Sequence, residues 1–256
     1  MARRKETQQR LERTVALIQR KWGQEALRQG VTPARTIPHI PTGFAELDAA
    51  TGIGGVPRGR ITVLSGAATS GKITLAALVL ARSQGKGRLA AYVDLLHTCD
   101  ADYLERCGVR LRDLLVVRPE HASQALELTL TLAARSEVAA ILFDHWGAVE
   151  ADGRARSFIA GMLDQGVGLL AHSQAALLIV DDPPSPWQRL LPVAGGPLAH
   201  YAALHLVMSR EQWFLAGPDV RGYRARVTLA KNKLGPAGQT VPIEIHFNGT
   251  VRGRGI

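Results

Sequence analysis

The residues with the clearest chemical potential form a loop at 66–74 that reads Gly-Ala-Ala-Thr-Ser-Gly-Lys-Ile-Thr. An apolar run at 61–64 precedes the loop, and an Ala- and Leu-rich run at 75–82 follows it. In this strand–loop–helix order, backbone N–H groups and a helix N-terminus together hold a phosphate group. The predicted nucleotide-binding residues of this loop are Gly66, Ala67, Ala68, Thr69, Ser70, Gly71, Lys72, Ile73 and Thr74.

Two positions in this loop carry most of the chemistry. Lys72 is placed to reach the β- and γ-phosphates of a nucleotide. Ile73 stands where a Ser or Thr normally supplies a hydroxyl to Mg²⁺, and an isoleucine side chain cannot coordinate a metal. The loop therefore predicts nucleotide binding and leaves open whether the nucleotide is hydrolysed.

A second acidic position follows a later apolar run. Residues 139–143 are apolar and lead directly to Asp144. A carboxylate at the C-terminal end of a strand beside a phosphate loop can hold Mg²⁺ or its water, as a Walker B acid does. We interpret Asp144 in this way, with contact to Mg²⁺ through water; the alternative is an ordinary strand end.

The elements that must position these residues follow an alternating pattern. Apolar strand-like runs alternate with helical runs from residue 61 to 182, which is typical of a mainly parallel sheet with helices on both faces. After residue 203 three strand-like runs follow one another without helices and predict an antiparallel extension of the sheet. One helix is expected at about 156–173, and the basic residues 252–256 are expected to form a loose tail.

The N-terminal segment is organised differently. Leu11, Val15, Ile18 and Trp22 recur at helical spacing, so a helix is expected over residues 5–28, before a Pro- and Gly-containing linker. We therefore divide the chain into residues 1–40, a helix and linker, and residues 41–256, an α/β nucleotide-binding core. The apolar stripe of the helix packs either on its own chain or on a neighbouring protomer.

Composition limits the class of protein. The chain has 256 residues, 31 Lys and Arg against 22 Asp and Glu, and a formal net charge of +9, which favours a polyanionic partner such as nucleic acid. Two cysteines form neither a metal-binding spacing nor a disulfide framework. A charged N-terminus and the lack of a long apolar run predict a cytoplasmic protein without a signal peptide or membrane span.

The sequence resembles the bacterial RecA recombinases over nearly its whole length. The matching blocks are residues 19–23, 41–43, 47–48, 54–60 and 70–72, then 94, 100, 103, 108–109, 114–115, 124–127, 144, 195–196 and 231–233. This resemblance implies an ATPase core of the RecA type preceded by an oligomerisation helix. The chain stops about where that core ends, so we expect the family's C-terminal domain to be missing.

The resemblance also implies roles for residues outside the loop. Asp100 and Tyr103 would contact the adenine, Tyr103 by stacking. Lys231 and Lys233, in the sequence Lys-Asn-Lys, would reach the γ-phosphate on a neighbouring protomer. The alternative for the two lysines is a solvated basic turn.

Three departures from the family concern hydrolysis. Leu96 stands where the family has its catalytic glutamate, and losing such a base costs about 10²–10⁴-fold in rate. Ile73 replaces the metal-binding hydroxyl. Asp181-Asp182 replaces an Asn-Gln pair that senses the γ-phosphate; an acid there repels a triphosphate unless it helps to bind Mg²⁺. No catalytic residue is therefore assigned, although Asp94 or Asp182 could replace the missing base.

The DNA-facing loops of the family are also altered here. The first is expected to be trimmed to about Glu150–Arg156, and the second spans Pro183–Ala194. Trp187 and Arg189 could stack on a base and pair with a phosphate, although a rigid Pro-rich loop explains them equally well. The candidate DNA contacts are Trp187, Arg189, Gly195 and Gly196.

We therefore expect a RecA-like protein of DNA recombination and repair that binds ATP or ADP and hydrolyses it weakly or not at all. Its partners would be single-stranded DNA, RecA-type protomers through the N-terminal helix, or a translesion polymerase complex within the SOS response. The RecA-like accessory proteins of the translesion mutasome (the ImuA type) are similar in size and in their eroded motifs. The alternatives are an active DNA-dependent recombinase with a relocated base and a structural scaffold without nucleotide.

Overall fold

The computed structural model describes residues 2–23, 37–182, 197–247 and 251–253. It divides into two compact units, residues 1–36 and residues 37–256, and each is described by itself. The helices are α1 (Ala2–Trp22), α2 (Ala45–Ala50), α3 (Lys72–Ser83), α4 (Ala101–Arg106), α5 (Ala122–Ala133), α6 (Trp146–Ala151), α7 (Gly153–Arg156), α8 (Ile159–Ser173) and α9 (Pro197–Tyr201). The strands are β1 (His39–Ile40), β2 (Val56–Pro57), β3 (Ile61–Gly66), β4 (Leu89–Val93), β5 (Leu114–Val117), β6 (Val138–Phe143), β7 (Ala176–Asp181), β8 (Leu204–Ala216), β9 (Asp219–Asn232), β10 (Thr240–Phe247) and β11 (Val251–Gly253).

The larger unit is built on one sheet in the order β11-β10-β9-β8-β3-β7-β6-β4-β5. All neighbouring strands from β8 to β5 run parallel, whereas β8, β9, β10 and β11 pair in antiparallel fashion. This confirms the α/β core with a mainly parallel central sheet, antiparallel C-terminal strands and an N-terminal helix. Because parallel strands share one carboxyl edge, the ends of β3, β6 and β7 lie side by side, where such sheets form their sites.

The strand residues bury both faces of the sheet, which explains their continuous apolar runs. On β3, Leu64 belongs to the apolar cluster that includes α3, while Ile61 and Val63 belong to the cluster that includes α5 and α8. Every residue of β3 and of β6 is buried. The two clusters therefore hold the central strands rigidly, and with them the loops that leave their carboxyl ends.

Residues 150–151 and 153–156 are helical on either side of Asp152, so the expectation of a loop at 150–156 is wrong, and contact of this segment with DNA stays a prediction. Helix α6 ends at Ala151, and α7 begins at Gly153. The Asp152 carboxylate caps α7 by accepting hydrogen bonds from the backbone N–H groups of Arg154 and Ala155. Buried Val149 anchors α6 to the core. The helix expected at about 156–173 is present as α8, which begins three residues later, at Ile159, and ends at Ser173 as expected.

The C-terminal strands are longer than the sequence indicates. Strand β8 reaches Ala216 and pairs with β9 as a long hairpin, although its apolar run ends near Met208. Residues 252–253, expected as part of a loose tail, belong to β11, which lies on the edge of β10. Pairing with a neighbouring strand satisfies backbone groups whatever the side chains are, so polarity underestimates strand length here.

The N-terminal unit contains α1, which carries large apolar side chains in contact with solvent. Leu11, Leu17 and Trp22 are 48%, 68% and 69% exposed. The predicted stretch 24–28 of this helix lies outside the described residues. Across the described part of the chain, no helix is long and apolar enough to cross a membrane.

Candidate nucleotide-binding site

The loop at 66–71 joins the carboxyl end of β3 to the N-terminus of α3, as the sequence predicts. Gly71 precedes the helix with a φ of 96°, a left-handed conformation that favours glycine. A side chain at Gly66 would collide with the Met208 carbonyl oxygen, and one at Gly71 would collide with the Tyr223 hydroxyl. The glycines are therefore required by the close approach of β8 and β9, and the free N–H groups of α3 face the loop.

Lys72 is buried at the start of α3 and its ammonium group is fully engaged. It is 7% exposed. Its Nζ donates to the Gly66 carbonyl oxygen at 2.8 Å and to Asp182 Oδ1 at 2.7 Å, with the Ala67 carbonyl oxygen at 3.4 Å. Asp182 follows β7, so this ion pair joins two neighbouring strand ends across the sheet edge.

The hydroxyl of Thr74 does not substitute for the one missing at Ile73. Thr74 is buried, and its Oγ1 lies 2.6 Å from the Tyr103 hydroxyl and 2.9 Å from the Tyr223 hydroxyl. These three hydroxyls form a closed network beneath the loop, while Ile73 packs against the core cluster around α3. The side chain following Lys72 therefore contributes packing instead of a metal ligand.

The outer part of the loop is held from the β8–β9 hairpin. Thr69 has a φ of 63°, which is strained for a β-branched residue. Arg210 on β8 contacts both the Thr69 carbonyl oxygen, at 3.2 Å, and the Thr69 hydroxyl. The same guanidinium lies 4.2 Å from the ring centroid of Trp213. Arg210 thus ties the strained loop to an aromatic side chain, a cation–π arrangement that restricts both partners.

A cavity of about 410 Å³ opens next to the loop. That volume is within the range of sites for small molecules and cofactors. Its lining consists of Ala68, Thr69, Gly71, Lys72, Ile73, Thr74, Tyr103, Asp144, His145, Val180, Asp182, Trp213, Tyr223 and Phe247. Cationic and backbone groups of the loop form one part of this lining and four aromatic rings another, so the cavity suits a ligand that has both phosphates and a planar base.

The aromatic part of the lining is a connected cluster. The rings of Trp213 and Tyr223 meet edge to face at 5.4 Å between centroids, and those of Tyr223 and Phe247 at 5.8 Å. Tyr103, the residue expected to stack on adenine, lines the same cavity from α4. Aromatic faces stack on nucleobases with little sequence preference, since every base has a π-face.

Asp144 lies at the end of β6 with one oxygen held and the other without a partner. Its Oδ2 accepts from the Tyr92 hydroxyl at 2.7 Å and from Thr98 Oγ1 at 3.2 Å, and His145 Nδ1 lies 3.1 Å away. Burial and the Asp144 charge raise the pKa of Tyr92, so its hydroxyl stays a donor. Among the described residues, the buried Oδ1 has no hydrogen-bond partner.

The side chains around the cavity fit a nucleotide better than they fit a metal ion bound by protein ligands alone. Asp144 lines the cavity, and its buried Oδ1 has no partner among the described residues, so this carboxylate has an acceptor left for a metal-bound water. Within the described residues, however, no three His, Cys, Asp or Glu side chains are grouped to hold a metal ion. With Ile73 in place of a hydroxyl, Asp144 is the protein group here suited to Mg²⁺, and the nucleotide would supply most other ligands.

The turn after β4 places Leu96 and Asp94 very differently. Leu96 is 49% exposed and carries no group that could orient water. Asp94 is fully buried: its Oδ1 accepts from the N–H groups of Thr98 at 2.8 Å and Cys99 at 3.3 Å, and its Oδ2 from Arg118 at 3.3 Å. A carboxylate engaged in this way stabilises the turn and is poorly placed to act as a replacement base.

Asp181, the last residue of β7, has a raised pKa. Burial, with smaller contributions from Glu150 and Asp182, raises the pKa of Asp181 from 3.8 to about 6. The charged form of Asp181 is thus disfavoured in the folded state and lowers the free energy of unfolding. This loss of stability is complete above pH 6 and becomes smaller as the pH falls towards 3.8. We expect Asp181→Asn to stabilise the protein by about 1–3 kcal/mol at pH 7.5, with a smaller gain at pH 5. Urea denaturation at both pH values measures this difference.

Asp164→Asn is the matched control for that measurement, because Asp164 is exposed on α8 and its substitution removes the same charge. It should change the free energy of unfolding by less than about 0.5 kcal/mol at either pH. A gain for Asp181→Asn that is equal at pH 7.5 and pH 5 would show that the Asp181 charge is not penalised in the folded state.

The structure places the remaining predicted residues away from the loop or outside the described range. Asp100 caps α4 by accepting from the Tyr103 N–H at 2.9 Å. Lys231 and Lys233 both donate to the His200 carbonyl oxygen at the end of α9, at 3.0 and 2.8 Å, and neither is among the described residues that line the cavity. The candidate DNA contacts lie outside the described residues: Trp187, Arg189, Gly195 and Gly196.

Several lining residues were not identified from the sequence. Trp213, Tyr223 and Phe247 line the cavity from strands β8, β9 and β10, and Arg210 on β8 contacts the loop through Thr69; all four lie more than 130 residues after the loop. Only the register of β8 against β3 brings them there: Gly66 pairs with Met208. The one available signal was the aromatic content of these strands, which core packing would explain equally well.

Comparison with known proteins agrees with this geometry. Residues 9–178 match the family model described as the RecA N-terminal domain. The chain is 35% identical to protein RecA of Thermus thermophilus, covering 96% of this chain and 76% of that protein. It is 31% identical to protein RecA of Herpetosiphon aurantiacus, over 97% of this chain and 74% of that protein, and 32% identical to protein RecA of Chloroflexus aurantiacus, over 97% and 76%. The chain therefore belongs to the RecA family.

Proposed function

We propose that this protein binds a nucleotide, ATP or ADP, in the cavity beside the 66–74 loop and hydrolyses it weakly or not at all. The observation that carries the proposal is the makeup of this cavity. Lys72 and the start of α3 line it together with four aromatic rings, while Ile73 and Leu96 occupy the metal-hydroxyl and base positions. The groups that would bind a nucleotide are thus present, whereas the groups that would activate water for hydrolysis are replaced.

In the proposed complex the loop backbone and Lys72 hold the phosphates, and the base lies against Tyr103 and its aromatic neighbours. Asp100, which caps the helix that carries Tyr103, orients this wall. Mg²⁺, where it accompanies the nucleotide, is held by Asp144 through water. Lys231 and Lys233 are proposed to act between protomers, a role that requires them to leave the α9 carbonyl oxygen they contact here.

We place this activity in DNA recombination and repair, because the chain belongs to the RecA family and is strongly basic, with a formal net charge of +9. Lys and Arg contacts to DNA phosphates release counterions, so affinity for single-stranded DNA should be independent of sequence and fall steeply with salt. Binding that stays constant across a salt titration would assign the charge to another purpose.

The finer proposal is an accessory role beside a RecA-type filament or a translesion polymerase complex. It is supported by α1, whose exposed Leu11 and Trp22 lie on one face of the helix at the spacing of an apolar stripe, the kind of surface that docks into a partner's groove. A crosslinking pull-down with and without single-stranded DNA and nucleotide separates self-association from joining another protein. Loss of capture in a Leu11→Ser, Trp22→Ser variant supports docking through α1, and unchanged capture excludes it.

Equilibrium titration of the full chain with a fluorescent ATP or ADP analogue tests nucleotide binding directly. We expect saturable binding that unlabelled ADP or ATP competes away. Tryptophan fluorescence provides a second readout: Trp213 lies in the cavity wall, and comparison with a Trp213→Phe variant separates its signal from that of the other three tryptophans. No saturable binding of either analogue would remove the nucleotide from the account and leave a structural scaffold.

A further inference from the structure

Asp182 is the acidic side chain closest to the proposed phosphate site. Its Oδ1 lies 2.7 Å from Lys72 Nζ, the shortest of the three contacts of that ammonium, which also reaches the Gly66 and Ala67 carbonyl oxygens. An ammonium group has three donors, so Lys72 has none to spare. A phosphate that reaches Lys72 must share or replace one of these oxygens.

The position of Asp182 indicates which phosphate it would meet. The loop backbone and the N-terminus of α3 would surround the phosphate nearest the helix, and Lys72 would bridge it to the terminal phosphate. Asp182 comes from β7, which lies between β3 and β6, and it lines the cavity together with Lys72 and Asp144. The carboxylate thus holds Lys72 from the side on which the γ-phosphate of a triphosphate would lie.

The charge of Asp182 therefore affects di- and triphosphates unequally. A diphosphate can bind at the loop while Asp182 keeps its contact with Lys72. A triphosphate brings additional negative charge close to the Asp182 carboxylate. A bound Mg²⁺ would screen this charge, but Ile73 supplies no hydroxyl ligand to hold the metal. The Asp182 side chain is 59% exposed, so it can move aside, but doing so gives up its ion pair with Lys72.

We propose that Asp182 makes this site selective for a nucleoside diphosphate over the corresponding triphosphate, with its carboxylate on Lys72 in place of the γ-phosphate. This inference rests on the proposed function, since it names the ligand class of the same cavity. At a few ångströms a unit charge in a partly exposed site changes affinity by about tenfold. The diphosphate is then the resting ligand, and the triphosphate binds by displacing Asp182.

Isothermal titration calorimetry with ADP and with the non-hydrolysable β,γ-imido analogue of ATP tests the proposal on the full chain in Mg²⁺. Wild-type protein should bind ADP about tenfold more tightly than the analogue. Asp182→Asn keeps the shape of the side chain and removes its charge, and it should reduce this ratio about tenfold, mainly by tightening the triphosphate. Asp164→Asn, the exposed control on α8, should leave the ratio unchanged.

Two outcomes would overturn the inference while leaving nucleotide binding intact. One is a wild-type protein that binds the triphosphate analogue as tightly as ADP. The other is an Asp182→Asn variant whose ratio equals that of wild type. If neither ligand binds to wild type or to the variant, the proposed nucleotide-binding function itself fails, and the selectivity with it. Circular dichroism of each variant confirms that the fold is retained.

Discussion

Lys72→Ala is expected to weaken nucleotide binding by at least about 100-fold. The substitution removes the buried cation of the site and leaves the Asp182 carboxylate, now unpaired, facing the incoming phosphates. Two hydrogen bonds from a charged donor are together worth about 3–4 kcal/mol, which corresponds to a factor of roughly 10²–10³ in the dissociation constant. Titration of wild type and variant with a fluorescent ADP analogue measures the change.

Lys5→Ala, the same substitution at an exposed position of the N-terminal unit, is the control and should bind as wild type does. The double variant Lys72→Ala, Asp182→Asn is expected to recover up to about tenfold of the loss, because the unpaired carboxylate is then neutral. Binding by Lys72→Ala within threefold of wild type would mean that the phosphates lie elsewhere.

Asp94→Ala is expected to lower the free energy of unfolding by about 2–4 kcal/mol. Asp94 is fully buried, accepts from two backbone N–H groups of the following turn and pairs with Arg118. Each hydrogen bond to a charged group contributes roughly 1.5–3 kcal/mol, and part of this is regained because Arg118 can be hydrated. Urea denaturation at pH 7.5 measures the loss. The turn also carries Thr98, which donates to Asp144, so the Asp144 carboxylate should be held less firmly as well.

Asp94→Asn is the informative companion, since its amide oxygen can still accept from the turn, while the charge and the oxygen that accepts from Arg118 are lost. It should cost clearly less than Asp94→Ala. Asp164→Ala, on the exposed face of α8, should change stability by less than about 0.5 kcal/mol. A loss below 1 kcal/mol for Asp94→Ala would show that this carboxylate is free, and would revive it as a candidate base.

The parts of the fold that were predictable are those that depend on local pattern. The glycines and Lys72 between a buried strand and an apolar helix fix the loop, and the run before Asp144 fixes the neighbouring strand end. The strands were recognisable because both of their faces are buried. The helices at 150–156 were missed because they depend on a cap at Asp152 and on burial of Val149 in the core.

The site was predictable only on the side of the loop. Departures at Ile73, Leu96 and Asp182 were visible from the resemblance, but the direct ion pair between Asp182 and Lys72 depends on the pairing of β7 with β3. The contacts of Arg210 with Thr69 and of Tyr223 with Thr74 depend on the register of a hairpin far along the chain. Such long-range pairing is set by tertiary packing, which a local pattern does not encode.

The central claim, that the cavity binds a nucleotide and cleaves it weakly or not at all, is tested most directly by phosphate release under saturating Mg-ATP with single-stranded DNA. On this proposal Leu96 and Ile73 stand in place of the base and the metal hydroxyl, so wild-type protein should release phosphate at a rate close to that of Lys72→Ala, although it binds nucleotide. Release well above background that Lys72→Ala abolishes would contradict the account and identify an active ATPase with a relocated base.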